Sequence, residues 1–123
     1  MTFTPGETNI ICTDAERSLR FYRDVLGFRF VEEERGAFRL AAGERTILLL
    51  PFASDQRPRS PYCSAPEFSF DLYVESIQEA FLYLKNHDVE FIREWEEGSS
   101  NCIIRDPDGL VLEIIERVSN VPG

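Results

Sequence analysis

Apolar and polar positions run through the same programme twice along this chain. Asn9-Ile-Ile-Cys12 is a brief apolar strand, and Thr13-Asp-Ala-Glu16 after it fits a capping box, in which threonine and glutamate serve each other's orphan amides. Ala15, Leu19, Tyr22 and Leu26 then recur at helical spacing, with Arg17, Arg20, Arg23 and Asp24 pointing elsewhere, until Gly27 offers a left-handed stop. Three strands are predicted next, at 28–34, 38–41 and 46–51, parted by turns at Gly36 and Gly43.

The second copy opens with cleanly alternating residues 68–74, followed by a second capping box, Ser76-Ile-Gln-Glu79. Ile77, Ala80, Phe81 and Leu84 form the buried stripe of its helix, and strands are predicted at 89–95, 101–105 and 110–116. Asp106-Pro107-Asp108-Gly109 joins the last two as a tight hairpin, because proline presets one turn angle and glycine takes positive φ. Residues 53–66 hold Pro58, Pro61 and Pro66, which exclude helix and sheet and mark a linker. The expected fold is therefore α+β: one domain, 1–123, of two tandem βαβββ modules at about 7–51 and 69–116, their curved mixed sheet wrapped around a cleft.

Strand parity proposes which side chains line that cleft, since neighbours on a strand point to opposite faces. With Ile10, Cys12, Phe70, Leu72, Val74, Leu112 and Ile114 packed under the helices, the inward set is Glu7, Asn9, Ile11, Ile47, Leu49, Ser69, Asp71, Tyr73, Val111, Glu113 and Ile115. Two glutamates thus point toward a partly apolar cavity.

Bulk composition narrows the partners. A net charge of −9 argues against nucleic acid, whose binding depends on a basic surface, while an acidic groove would attract a cationic ligand. No run spans a bilayer, and the first residues lack the basic and apolar regions of a signal peptide, so a cytoplasmic protein without membrane contact is expected. Cys12, Cys63 and Cys102 are odd in number and form no CxxC pair, which reads as reduced thiols. The sole histidine, His87, follows Lys85-Asn86 at a helix end, where a surface cation fits better than a catalytic base.

Asp14-Ala-Glu-Arg-Ser18-Leu-Arg-Phe21-Tyr22-Arg-Asp-Val-Leu-Gly27-Phe28, the Asp106-Pro-Asp-Gly109 turn with Glu113, and the βαβββ repeat together resemble the vicinal oxygen chelate superfamily. That superfamily includes glyoxalase I, bleomycin-resistance proteins, fosfomycin-resistance enzymes and extradiol dioxygenases. The resemblance implies up to four inward metal ligands. At the matching positions stand Glu7 and Ser69, where histidine is usual, Leu49, which cannot coordinate, and Glu113, the usual glutamate. Glu7 and Glu113 are thus the metal ligands if a metal is bound, and a weakly held divalent ion, if any, is the implied cofactor.

The same two glutamates are the candidate catalytic pair, because carboxylates converging in an apolar pocket push their pKa values apart. Asn9, Ser69, Asp71, Tyr73, Trp95 and Arg105 are the candidate ligand-binding residues, Trp95 as an aromatic rim. The resemblance implies a metal-free small-molecule binding protein of the bleomycin-resistance kind, with its ligand in the cleft between modules. The alternatives are a divergent metal-dependent lyase, isomerase or dioxygenase, and a non-catalytic interaction module; a homodimer is expected because sheets of this size leave edges to cover.

Overall fold

β1 (Thr8–Ile11) leads into α1 (Ala15–Leu19), whose cap is Asp14, one place later than the predicted Thr13. The Asp14 carboxylate accepts from the amides of Glu16 and Arg17, both at 3.1 Å, while the Thr13 hydroxyl accepts from the Arg17 guanidinium at 3.0 Å. An ionised cap also meets the positive end of the helix, which a hydroxyl does not. The helix then widens into a π turn over Arg20–Val25, with the Leu26 amide reaching back five residues to the Phe21 carbonyl at 3.0 Å. One residue absorbed into the wider turn lets consecutive aromatics both face inward. Phe21 and Tyr22 are both buried and meet edge to face at 5.0 Å. Gly27, at φ 79°, ends the element as its sequence position predicts.

The computed structural model describes residues 1–117, which form two compact units, Met1–Gln56 and a second from Arg57 onward. In the first unit β2 (Arg29–Glu34), β3 (Ala37–Ala42) and β4 (Arg45–Leu50) complete a sheet of order β1-β4-β3-β2. β1 and β4 run parallel, pairing Ile10 with Leu49 and Thr8 with Ile47. Phe38 and Leu40 of β3 stand opposite Leu49 and Ile47, so one face carries them all, and α1 packs against β3 and β4 to bury it.

That register corrects an expectation. Ile47 and Leu49 belong to the helix-covered face, together with Ile10 and Cys12; the face away from α1 carries Thr46, Leu48 and Leu50 of β4. Alternation along one strand cannot say which parity matches that of a neighbour, since only the ladder sets the register.

The second unit repeats the plan with β5 (Phe70–Val74), α2 (Ile77–Asn86), β6 (Glu90–Arg93), β7 (Asn101–Arg105) and β8 (Val111–Glu116), in the order β5-β8-β7-β6. Ser76 caps α2 as expected, its hydroxyl accepting from the Glu79 amide at 3.2 Å. α2 packs against β7 and β8 and covers Cys102, Ile104, Leu112 and Ile114. The Asp106–Gly109 hairpin is tied by the Asp106 carboxylate, which accepts from the amides of Asp108 at 2.9 Å and Leu110 at 2.8 Å, while Gly109 takes φ 94°. Among the described residues no helix is long and apolar enough to cross a membrane.

Candidate functional site

The parallel pairing of β5 with β8 sets Asp71 beside Glu113 and Tyr73 beside Ile115 on the face away from α2, with Ser69 just ahead of the strand on the same side. Adjacent strands lie about 4.8 Å apart, so these are side-by-side neighbours. Onto this row comes Tyr62, from the proline-rich segment. Its hydroxyl lies 3.0 Å from Glu113 Oε2 and 2.9 Å from Ser69 Oγ.

The direction of these bonds follows from the donor count. An ionised carboxylate only accepts, so the single phenolic proton goes to Glu113, and the Ser69 hydroxyl donates to the phenolic oxygen. The result is a directed chain, Ser69 to Tyr62 to Glu113. The Ser69 hydrogen bond pulls the phenol's pKa down, but burial and the negative charge of Glu113 outweigh it and hold the phenol above its ordinary value. Tyr62 therefore keeps its proton at neutral pH.

The segment that carries Tyr62 is fastened to the second sheet. The Arg57 amide donates to the Asp108 carbonyl at 2.9 Å, its guanidinium pairs with Glu67 at 3.3 Å, and Arg59 pairs with Glu90 at 3.1 Å. Arg105, expected to orient a ligand, is buried and holds this segment instead, donating to the carbonyls of Gly109 at 2.8 Å and Ser60 at 3.0 Å and pairing with Glu90 at 3.4 Å. Gly109 has no room for a side chain, because a Cβ there would stand 2.5 Å from Arg59 Nη1 and 3.1 Å from the Arg57 carbonyl oxygen.

Trp95 is placed apart from this row. Its ring lies 6.1 Å from Phe81 of α2 and its indole N–H donates to the Ser99 carbonyl at 2.8 Å, so it belongs to the helix side. Within β6 itself a shift of register separates Phe91, which faces the helix with Ile104, from Arg93, which faces the other way with Ile103. Tyr73 is exposed, with the Arg117 guanidinium 4.8 Å from its ring centre.

In the first unit Glu7 precedes β1, and Asn9, in register with Leu48, shares its face. Glu7 is already engaged. Arg39 of β3 donates to it from Nε at 2.9 Å and Nη2 at 3.2 Å, and also pairs with Glu32 and, at 4.0 Å, with Glu34. The hydrogen bonds from Arg39 hold the Glu7 carboxyl below its ordinary pKa, against a smaller opposing effect of desolvation.

The described residues of each unit bring few of a divalent ion's usual donors together. Among the described residues no group of three or more His, Cys, Asp and Glu side chains is placed to share a cation. The Glu113 carboxylate is taken up by a phenol and Ser69 is neutral; Glu7 is chelated by a guanidinium, and the uncovered β4 positions beside Asn9 and Ile11 are Leu48 and Leu50. The fit to a metal is poor.

The sequence profile of the Glyoxalase/Bleomycin resistance protein/Dioxygenase superfamily matches residues 4–114. This chain belongs to that superfamily. Two relatives, the uncharacterized proteins YaeR of Escherichia coli (strain K12) and YwkD of Bacillus subtilis (strain 168), are each 32% identical over 120 residues, 88% of this chain and 92% of theirs. In three dimensions the chain is similar to the lactoylglutathione lyase of Agrobacterium tumefaciens, with TM-score 0.67 and 22% identity over 94% of both chains. It is also similar to a glyoxalase/bleomycin resistance protein/dioxygenase from Alicyclobacillus acidocaldarius, with TM-score 0.67 and 16% identity over 90% of this chain and 89% of that one. At such identities these structures bear on the fold alone, and the superfamily's βαβββ pattern is the one the repeat predicts.

Two residues of the site carry no periodic signal in the sequence. Tyr62 lies in a proline-rich stretch without strand or helix, marked only by being its one tyrosine, and Arg39 is a lone cation alternating with Phe38 and Leu40 on a strand.

Proposed function

We propose that this superfamily member is a metal-independent small-molecule binding protein whose ligand contacts the face of the second sheet around Glu113. The observation that carries the reading is the bond from Tyr62 to Glu113 with Ser69 behind it, since it occupies with a protein donor the carboxylate that would otherwise be open to a metal ion. Ile115 and Tyr73 share that face and supply apolar and aromatic surface around the polar centre, with Val111 buried on the same side. Asp71 beside Glu113, with no ion pair among the described residues, makes the centre acidic and favours a ligand with a positively charged or aromatic group.

A panel of cationic, neutral and anionic aromatic compounds, titrated calorimetrically with and without EDTA, tests this. Stoichiometric binding unaffected by the chelator is the expected result. Binding abolished by EDTA and restored by a divalent ion would overturn the metal-free reading, and absence of binding by every compound would overturn the binding function.

A second reading, a lyase or isomerase, has one observation in its favour. The Ser69–Tyr62–Glu113 chain is a proton path that ends on a carboxylate able to act as base. Turnover that survives in Glu113→Gln would remove it. The reading also includes a homodimer in the cytoplasm: β2 is an edge strand exposed along its whole length, with Phe30 and Val31 uncovered, and none of the three cysteines is in a disulfide. Light scattering at micromolar concentration reads the subunit number, and a monomer would refute the dimer.

A further inference from the structure

We infer that Tyr62 is a latch: it holds a short loop closed on Glu113, and a ligand bearing a cationic nitrogen reaches that carboxylate by releasing the phenol. This rests on the reading that Glu113 is the centre of the binding site.

The loop has a fixed neck and a lightly held tip. At the neck Arg57 pairs with Glu67 at 3.3 Å, and the chain just inside it is held by the Arg105 guanidinium on the Ser60 carbonyl at 3.0 Å. Beyond Ser60 the loop folds on itself, the Ser64 hydroxyl reaching the Pro61 carbonyl at 2.5 Å and the Ser64 amide the same oxygen at 3.2 Å. Cys63, Ser64, Ala65 and Pro66 are exposed. Among the described residues the hydrogen bonds that run from residues 61–66 to the sheet face are those of the Tyr62 hydroxyl, to Ser69 and Glu113. Cys63, next to it, takes φ 70°, a left-handed conformation that a non-glycine residue holds at some cost. Rigid anchoring at the neck and a single side-chain attachment at the tip are the ingredients of a hinged lid.

The latch also selects what opens it. A phenol donating to an ionised carboxylate is already a charge-assisted hydrogen bond, so a neutral alcohol or amide that replaces it exchanges one such bond for another and gains nothing. A protonated amine or amidinium adds Coulombic attraction to Glu113 and to Asp71 beside it, worth roughly fivefold or more in affinity at contact distance. Because the open form must be populated before the ligand binds, removing the phenol raises apparent affinity by the reciprocal of the fraction open.

The test is tyrosine 13Cζ NMR with benzamidinium and its neutral isostere benzamide as probes, on wild type, Tyr62→Phe and Glu113→Gln, each checked for folding by circular dichroism. The Tyr62 signal is the one absent from Tyr62→Phe. Benzamidinium is expected to move it toward that of a free phenol while benzamide leaves it in place, and Tyr62→Phe is expected to bind benzamidinium roughly five- to tenfold more tightly than wild type. Without ligand, Glu113→Gln is expected to bring the Tyr62 titration down toward the ordinary phenol range. An unchanged Tyr62 titration in Glu113→Gln overturns the latch. So does benzamidinium binding that neither moves the Tyr62 signal nor tightens in Tyr62→Phe, and that result leaves the binding function standing. Binding of neutral or anionic panel compounds with none of benzamidinium overturns the latch alone, whereas absence of all binding overturns the function beneath it.

Discussion

Arg39 holds both carboxylate oxygens of Glu7, from Nε at 2.9 Å and from Nη2 at 3.2 Å, across the face of the first sheet that α1 leaves open. The same guanidinium pairs with Glu32 and lies 4.0 Å from Glu34, so one cation organises three acids. Replacing it with methionine keeps the aliphatic stem and removes the charge. The Glu7 carboxyl of Arg39→Met is expected to titrate higher than in wild type, as read by carboxyl 13C NMR. Since the folded-state pKa is depressed, the pairing stabilises the fold above the ordinary carboxylate range and is lost as pH falls through the depressed value. The stability gap between wild type and variant should therefore be present at neutral pH and close toward about pH 3; a gap independent of pH would show that Arg39 acts through packing.

Asp106 and Gly109 should be the least replaceable residues of the second unit's last hairpin. Asp106→Ala leaves the amides of Asp108 and Leu110 without their acceptor in a buried turn, and the expected loss is about 2–3 kcal/mol by urea unfolding. Gly109→Ala forces a Cβ onto Arg59 and the Arg57 carbonyl at φ 94° and should cost about 1–3 kcal/mol. Unchanged denaturation midpoints would contradict the close fit of the tyrosine-bearing segment to this turn.

Ser18 is fully buried in α1, and its hydroxyl has no hydrogen-bond partner among the described residues. Alanine is the better helix former and carries no polar atom to desolvate. Ser18→Ala should leave stability unchanged or raise it by up to about 1 kcal/mol in thermal or urea unfolding, where a clear loss would reveal a partner for the hydroxyl.

The three thiols should divide two to one. Cys63 is exposed, Cys12 and Cys102 are buried, and burial pushes the Cys102 thiol up to about 11, against a smaller opposing effect of Arg93. At pH 8 an aromatic disulfide reagent is expected to titrate one thiol quickly in the native protein and the other two on unfolding in guanidinium. Rapid release of three equivalents would mean that the helix-covered faces open far more readily than their packing implies.

Much of this protein was set by local pattern alone. Two rounds of strand, capped helix and strands, the Ser76 cap, the glycine stop at Gly27 and the Asp-Pro-Asp-Gly hairpin each depend on residues close in sequence, and so they are legible there. The face of the second sheet was legible too: Ser69, Asp71, Tyr73 and Glu113 share a side as alternation predicts, because β5 and β8 run without interruption. What the tertiary structure decided were the matters of register and contact at long range. Only the β1–β4 ladder puts Leu49 beside Ile10 under the helix, and only the contacts with Phe81 and the Ser99 carbonyl part Trp95 from the row it was expected to rim. Arg39 finds Glu7 across 32 positions, and Tyr62 finds Glu113 across 51, from a stretch with no period to read. A polar side chain's partner is chosen by where the folded backbone brings the acceptor, and no alternation along the chain encodes that distance.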